Sequence, residues 1–290
     1  MKHIPFTPKI ASAAASAALI WGAGSSIVSA TEPCEDFGEC KVLIEINSTD
    51  GDIGFHFLMD GDDLNSARIH DPNGAKVFED QAKGPLREQK LTETFAESAE
   101  PLCWPDPEAD ADDLEDMVTL RDFREVWEPE TYVFSGSADG GEKSFGETVL
   151  TYDLPAAPQN LNFDGSAITW TVGNDLGNCA PLADPGNGQE TVADLLDIIA
   201  DPAGVPVAAW EIVLEPDVAD GDPTGNLVFS IRVAGDIAPK AVTVPPEYLN
   251  ALPADTPVKV EVGSIGNDDN ATFTEVDGFC VNDTGPPGCD

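Results

Sequence analysis

Basic residues are scarce in this chain. Fourteen Lys and Arg stand against 54 Asp and Glu in 290 residues, a formal net charge of −40. Nucleic acid and anionic lipid, which select positive patches, are poor partners for such a surface. Histidine is scarcer still, at three. His3 falls in the N-terminal segment treated below, so Ser-His-Asp or Cys-His schemes depend on His56 or His70. Each of these reads as an ordinary edge or surface histidine. The chain has no G-x-S-x-G elbow, no H-E-x-x-H, no P-loop and no G-x-G-x-x-G. It has no C-x-x-C pair and no zinc-knuckle spacing. Beyond the N-terminus no apolar run approaches the ~18 residues of a membrane span. These absences leave no specific catalytic chemistry and favour a non-enzymatic protein.

The first thirty residues read as an export signal. Lys2 and Lys9 form a short basic n-region. An alanine-rich apolar stretch covers about residues 10–28. Val28-Ser29-Ala30 then gives an A-x-A-like cleavage site before Thr31. The signal looks bacterial, and it predicts an extracellular or periplasmic location. No lipobox precedes Cys34, so the mature chain is expected to be soluble rather than lipid-anchored. Loss of residues 1–30 removes Lys2 and Lys9 and no acid. That leaves 12 basic against 54 acidic residues over 260 positions, a net charge of −42. Charge at this density repels itself. High external salt, bound divalent cations or a cationic partner would each make it tolerable. Salt is the simplest, since the Debye length falls to about 3 Å at 1 M.

All six cysteines, Cys34, Cys40, Cys103, Cys179, Cys280 and Cys289, lie in the mature chain. An even count in an exported protein predicts disulfides. Three fall before residue 150 and three after. Either one bridge crosses between the halves or each half keeps a free thiol. Within the halves, Cys179 with Cys280 and Cys34 or Cys40 with Cys103 are the expected pairs.

Proline and alanine at residues 154–158 read as a stiff linker. Domains are expected at 31–155 and 159–283, with a tail at 284–290 that Cys289 would pin. In the first half, residues 41–46 and 53–59 read as strands around an Asx- and Gly-rich turn. Residues 60–63 read as a second turn, and 67–70 and 75–78 as strands about Pro72-Asn73-Gly74. Residues 92–98 read as short helix or irregular chain, 114–127 as one helix, and 131–135 with 147–153 as a hairpin. In the second half, strands are expected at 167–172, 207–214, 227–234, 241–244, 258–262 and 272–281. Thr191 and Asp194 form a capping box on a short helix. The fold class is all-β: two β-sandwich-like domains with short helical insertions.

The second half resembles a fibronectin type III or related immunoglobulin-like domain. The residues that carry this are Ile168-Thr169-Trp170, Trp210-Glu211-Ile212-Val213-Leu214, residues 242–249, residues 256–262 and residues 270–281. The resemblance covers about 120 residues. It departs from the family in an insertion at 173–205 and in having cysteines. The whole chain also resembles uncharacterised exported bacterial proteins that open with an E-I-N-x-T-D-G-D strand and turn, here residues 45–52. That resemblance implies a two-domain secreted architecture and brings no catalytic residues.

Calcium is the one cofactor the residues suggest. It takes six to eight oxygens on flexible turns. Four clusters offer them: Asp50 and Asp52; Asp60, Asp62 and Asp63; Asp217, Asp220 and Asp222; and Asn267, Asp268, Asp269 and Asn270. None follows the EF-hand pattern. The simpler account is that Asp-Gly and Asn-Asp are good turns in an acidic protein. Trp104, beside acids in a proline-broken loop, could stack on a sugar. The leading expectation is an exported non-enzymatic binding or structural module, calcium-stabilised, with a protein or glycan surface partner. The alternative is a carbohydrate-active enzyme or carbohydrate-binding accessory protein using acids near Trp104 or residues 60–63.

Overall fold

The computed structural model describes residues 34–219, 221–285 and 289. The expected signal at 1–30 and Asp220 lie outside the described residues. Residues Glu32–Asp290 form one compact unit. In chain order the strands are β1 Glu39–Asn47, β2 Asp52–Leu64, β3 Ser66–His70, β4 Lys76–Gln81, β5 Leu91–Glu97, β6 Glu130–Ser137 and β7 Lys143–Leu150. They continue with β8 Gln159–Phe163, β9 Ala167–Thr171, β10 Val207–Pro216, β11 Phe229–Ala234, β12 Ala241–Thr243, β13 Thr256–Gly266 and β14 Ala271–Val281. The fold is all-β and sandwich-like, with a few short helices.

One sheet runs through both halves, in the order β11-β10-β13-β14-β1-β2-β5. Its centre is the parallel pairing of β1 with β14, Glu45 opposite Ala271. The other pairings in it are antiparallel. A four-stranded sheet, β4-β3-β6-β7, packs its inner residues Ile69, Tyr132, Phe134 and Leu150 with Ile44, Ile46, Ile53 and Phe55 in one core. A three-stranded sheet, β12-β9-β8, brings Leu161, Ile168, Trp170 and Val242 into a second core with Trp210, Ile212, Leu214 and Val260. Two-residue alternation explains the arrangement. In β1, Val42, Ile44 and Ile46 point inward while Lys41, Leu43 and Glu45 point out. Each fully buried Ile or Leu contributes roughly 1.5–3 kcal/mol.

The β1–β2 turn forms as its residues predict. Asn47 Oδ1 accepts from the Thr49 and Asp50 amides at 3.0 and 3.3 Å. Gly51 takes a φ of 75°, which a side chain disfavours. The capping box at Thr191 and Asp194 is present, as is the β6–β7 hairpin.

Several expectations need correction. Residues 60–63 do not turn the chain. They form a bulge inside β2, where the pairing to β5 slips between Asp60 and Leu64. Residues 91–97 are a strand, because the open edge of β2 offers the alternating Thr-rich segment a ladder. The single helix expected over 114–127 is two, Ala111–Glu115 and Leu120–Val126. Between them the Val118 amide donates to the Leu102 carbonyl at 2.8 Å, and Thr119 starts the second helix as its N-cap.

The segment read as a linker is buried from Leu154 to Pro158. It lies against β13 and β14, where the Ser264 hydroxyl donates to the Ala156 carbonyl and the Thr274 hydroxyl to the Pro158 carbonyl, both at 2.7 Å. Proline carries no N–H to satisfy, so the composition of a linker also suits a buried coil. The insertion at 173–205 joins the first core rather than the second, through Leu176, Cys179, Val192, Leu195 and Ile199.

The six cysteines form Cys34–Cys40, Cys103–Cys179 and Cys280–Cys289. One bridge crosses between the halves, as the count allows, but none of the expected pairs forms. Burial of the insertion against the first core brings Cys179 to Cys103, with 5.1 Å between Cα atoms.

Candidate functional site

The outer face of the seven-stranded sheet carries a cleft of 460 Å³. Alternation dictates its lining. Lys41, Leu43 and Glu45 come from β1, His56 and Leu58 from β2, and Phe95 and Glu97 from β5. From the other side come Glu211 and Val213 of β10, Glu261 of β13 and Phe273 of β14. Gly263 leaves room for the Phe273 ring, which would lie 2.3 Å from a Cβ there.

His56 sits at one end with its side chain 8% exposed. Its Nε2 lies 3.2 Å from Glu100 Oε1 and its Nδ1 3.9 Å from Glu45 Oε2. Phe95 meets the imidazole edge-on at 6.0 Å. Gly54, opposite Glu45 in the ladder, has no side chain to block this meeting. A Cβ there would lie 2.9 Å from His56 Nε2 and 3.0 Å from Glu100 Oε1.

The electrostatics of the cleft are lopsided. Burial pushes Glu45 up to about 7, and Glu100, Glu261, Glu211 and Glu97 add to the shift. Burial pushes Glu261 up to about 7 as well, with Glu275 and Glu215 next. Asp52 rises to about 6 through burial and then Glu100 and Asp50. Some acids are compensated: Arg232 pairs with Glu211, and Lys259 with Glu215 at 3.1 Å and Glu275 at 2.7 Å. Among the described residues, Glu45 and Glu100 pair only with His56.

The expected calcium ligands are scattered over the surface. Asp50 accepts from Asn47 Nδ2 at 3.0 Å and shares a 330 Å³ cleft with Glu100, Asp106, Asp113 and Asp116. Asp52 opens β2. Asp62 and Asp63 are exposed on the bulge, while Asp60 is paired within the ladder. Asp217 follows β10 and shares a cleft with Asp222 and Lys259. Asp222 is a helix cap, accepting from the Thr224 amide at 2.8 Å. Asp269 pairs with Lys41 at 3.3 Å.

Asp268 accepts from the Thr151 hydroxyl and, at 3.2 Å, from Asn270 Nδ2. Burial holds its carboxyl above the usual range, against the Thr151 bond. Asn270 is 1% exposed, and its Oδ1 accepts from the Ile44 amide at 2.8 Å. It is a bracket for the β1–β14 junction. Trp104 is half-buried over Gly51, and its Nε1 donates to the Asp50 carbonyl at 2.9 Å. The indole therefore clamps the β1–β2 turn and is not a free sugar platform.

Sequence reasoning missed the meeting of Glu45, His56 and Glu100. The sole signal for it was a histidine on the polar side of a strand in a chain with almost none. The β1–β2 hairpin brings Glu45 to it, and the pairing of β2 with β5, which the pattern does not encode, brings Glu100.

No protein-family model matches the chain, and no curated protein matches it. Among solved structures it is similar to a two-domain fibronectin type III segment of chicken tenascin, at 10% identity over 83% of this chain and 97% of that one, with a TM-score of 0.24. It is also similar to a 1.5-MDa bacterial ice-binding adhesin, at 11% identity over 87% of this chain and 66% of that one, with a TM-score of 0.22. Overlaps this loose carry no argument. The topology does bear on the fold: β8, β9 and β12 face β10, β11, β13 and β14, a three-plus-four sandwich of immunoglobulin-like kind.

Proposed function

We propose that the chain is an exported binding or structural module that works without catalysis at a cell surface, in a matrix or in a periplasm, and that calcium on its acidic turns stabilises it. The observation that carries this reading is the pairing of all six cysteines into three disulfides. Such bonds persist in oxidising, extracytoplasmic spaces. The calcium component draws on Asp50 and its neighbours, five carboxylates around one cleft.

Thermal unfolding of the oxidised protein tests both parts. The comparison is EDTA, calcium and magnesium at matched ionic strength, with a sodium chloride series. A rise in Tm with calcium alone is expected, since a ligand at 100 times its Kd stabilises by about 2.7 kcal/mol. A rise that follows ionic strength whatever the cation would remove the calcium component. Reproducible turnover of an ester, peptide or polysaccharide would overturn the non-catalytic reading.

A further inference from the structure

Three side chains, two from one hairpin and one from beyond β5, meet at the His56 end of the cleft. Glu45 comes from β1, His56 from β2 and Glu100 from the chain after β5. One ring nitrogen and one oxygen from each carboxylate lie within 4.8 Å of one another. We propose that Glu45, His56 and Glu100 form a binding site for a divalent transition-metal ion of the zinc class. This goes beyond the module reading, with which it shares Glu100, and the His56 ring separates it from the all-oxygen calcium cleft.

The donor set decides the class of ion. Calcium and magnesium take oxygen ligands, whereas imidazole with carboxylates suits zinc and its neighbours. Tetrahedral zinc, at about 2.0–2.2 Å from each N and O, places its donors roughly 3.3 Å apart. The 3.2 Å between His56 Nε2 and Glu100 Oε1 lies close to that spacing, and one donor atom from each of the three residues lies within 4.8 Å of the others. Side-chain rotation that brings a Glu45 oxygen to the ring nitrogen facing Glu100 would let one ion replace the His56–Glu100 contact.

Three further features point the same way. His56 is held by burial, so its ring is already oriented, as metal ligands require. Gly54 leaves open the space that Glu100 enters, and a Cβ would fill it. The carboxylates have no Lys or Arg partner among the described residues, so a dication supplies the missing compensation. Glu97 and Glu261 add negative field without neutralising it. The cleft is open to solvent, which gives an ion an entry path and leaves coordination positions for water or a ligand.

Calorimetric titration of zinc chloride into the oxidised protein tests the site, alongside the variants Glu100→Gln, Glu45→Gln and His56→Gln. Glu247→Gln, exposed and remote from the cleft, is the control. The expected result is one zinc ion per chain. Each of the three variants weakens binding about tenfold or more, at least the loss seen when an outer-shell partner is removed, and the control leaves it unchanged. His56→Gln is the variant most at risk of misfolding. Glu100, whose side chain is 41% exposed, keeps the test decisive. In the unmodified protein, the NMR signals of the His56 ring nitrogens shift with zinc and stay still with calcium. Absence of saturable zinc binding overturns the proposal. So does full affinity in Glu100→Gln and Glu45→Gln, or displacement of zinc by equimolar calcium.

Discussion

Along β1, Val42, Ile44 and Ile46 turn toward the smaller sheets and are at most 3% exposed. On the same strand Lys41, Leu43 and Glu45 turn to the cleft and stay half-buried. The inner face is apolar over both cores and packs against a second layer. The outer face gathers unlike groups: carboxylates that outnumber the cations Lys41 and Arg232, a buried histidine and an exposed phenylalanine. Packing accounts for the first face. It does not account for the second, whose like charges oppose folding. One face specifies the structure, then, and the other is free to carry a binding role.

Substitution at adjacent positions should break this symmetry sharply. Ile44, at 0% exposure, is expected to lose roughly 2–5 kcal/mol as Ile44→Ala, the range for emptying a core position. Leu43→Ala, one residue away on the cleft side, should lose less than about 1 kcal/mol. Urea denaturation of both variants measures the difference. Similar losses would show that the outer face is packed as firmly as the inner one.

Next in size is the bridge that holds the insertion to the first core. Cys103–Cys179 closes a long loop, with a sequence separation of 76, against 6 for Cys34–Cys40. Replacing both cysteines by alanine should cost about 4 kcal/mol for the first pair and about 2 kcal/mol for the second, if unfolded-chain entropy dominates. Equal losses would assign the stabilisation to local packing around each bridge, and the insertion would then hold to the core without its covalent tie.

Much of the inner face was legible in the sequence. Ile53, Phe55, Phe57 and Met59 alternate, and so do Trp210, Ile212 and Leu214, because a two-residue period with one buried side leaves a clear pattern. The Asn47–Asp52 turn and the Thr191 cap were legible for similar reasons, since local chemistry dictates them. Long-range pairing was not. Nothing near Ala271 announces that β14 will lie parallel to β1, or that Asn270 will bracket the joint. The Pro155–Pro158 segment misled, since a coil buried under hydroxyl donors and an exposed linker share a composition. The cleft was illegible for the same cause: Glu45, Glu97, Glu211 and Glu261 converge only once the sheet order is known.

The smallest expected effect bears on the outer face alone. Glu45 and Glu261 titrate at about 7 in the folded chain, against the usual 4.5. A carboxyl whose pKa rises on folding binds its proton more tightly in the native state. Its contribution to stability is therefore fully present below about pH 4.5 and is lost as the pH rises through about 7. Asp52, at about 6, acts with the same sign over a narrower window. Glutamine at Glu45 or Glu261 removes the charge at every pH. Glu45→Gln and Glu261→Gln should each raise Tm at pH 8 by roughly 2 °C and leave it unchanged at pH 4. The effect is small because the Glu45 side chain is 35% exposed and water screens it. Scans in EDTA keep metal binding out of the measurement. A fall in Tm at pH 8 would mean that these carboxylates are compensated by a protein group in solution, and the contrast between the two faces would then be one of polarity and not of unpaired charge.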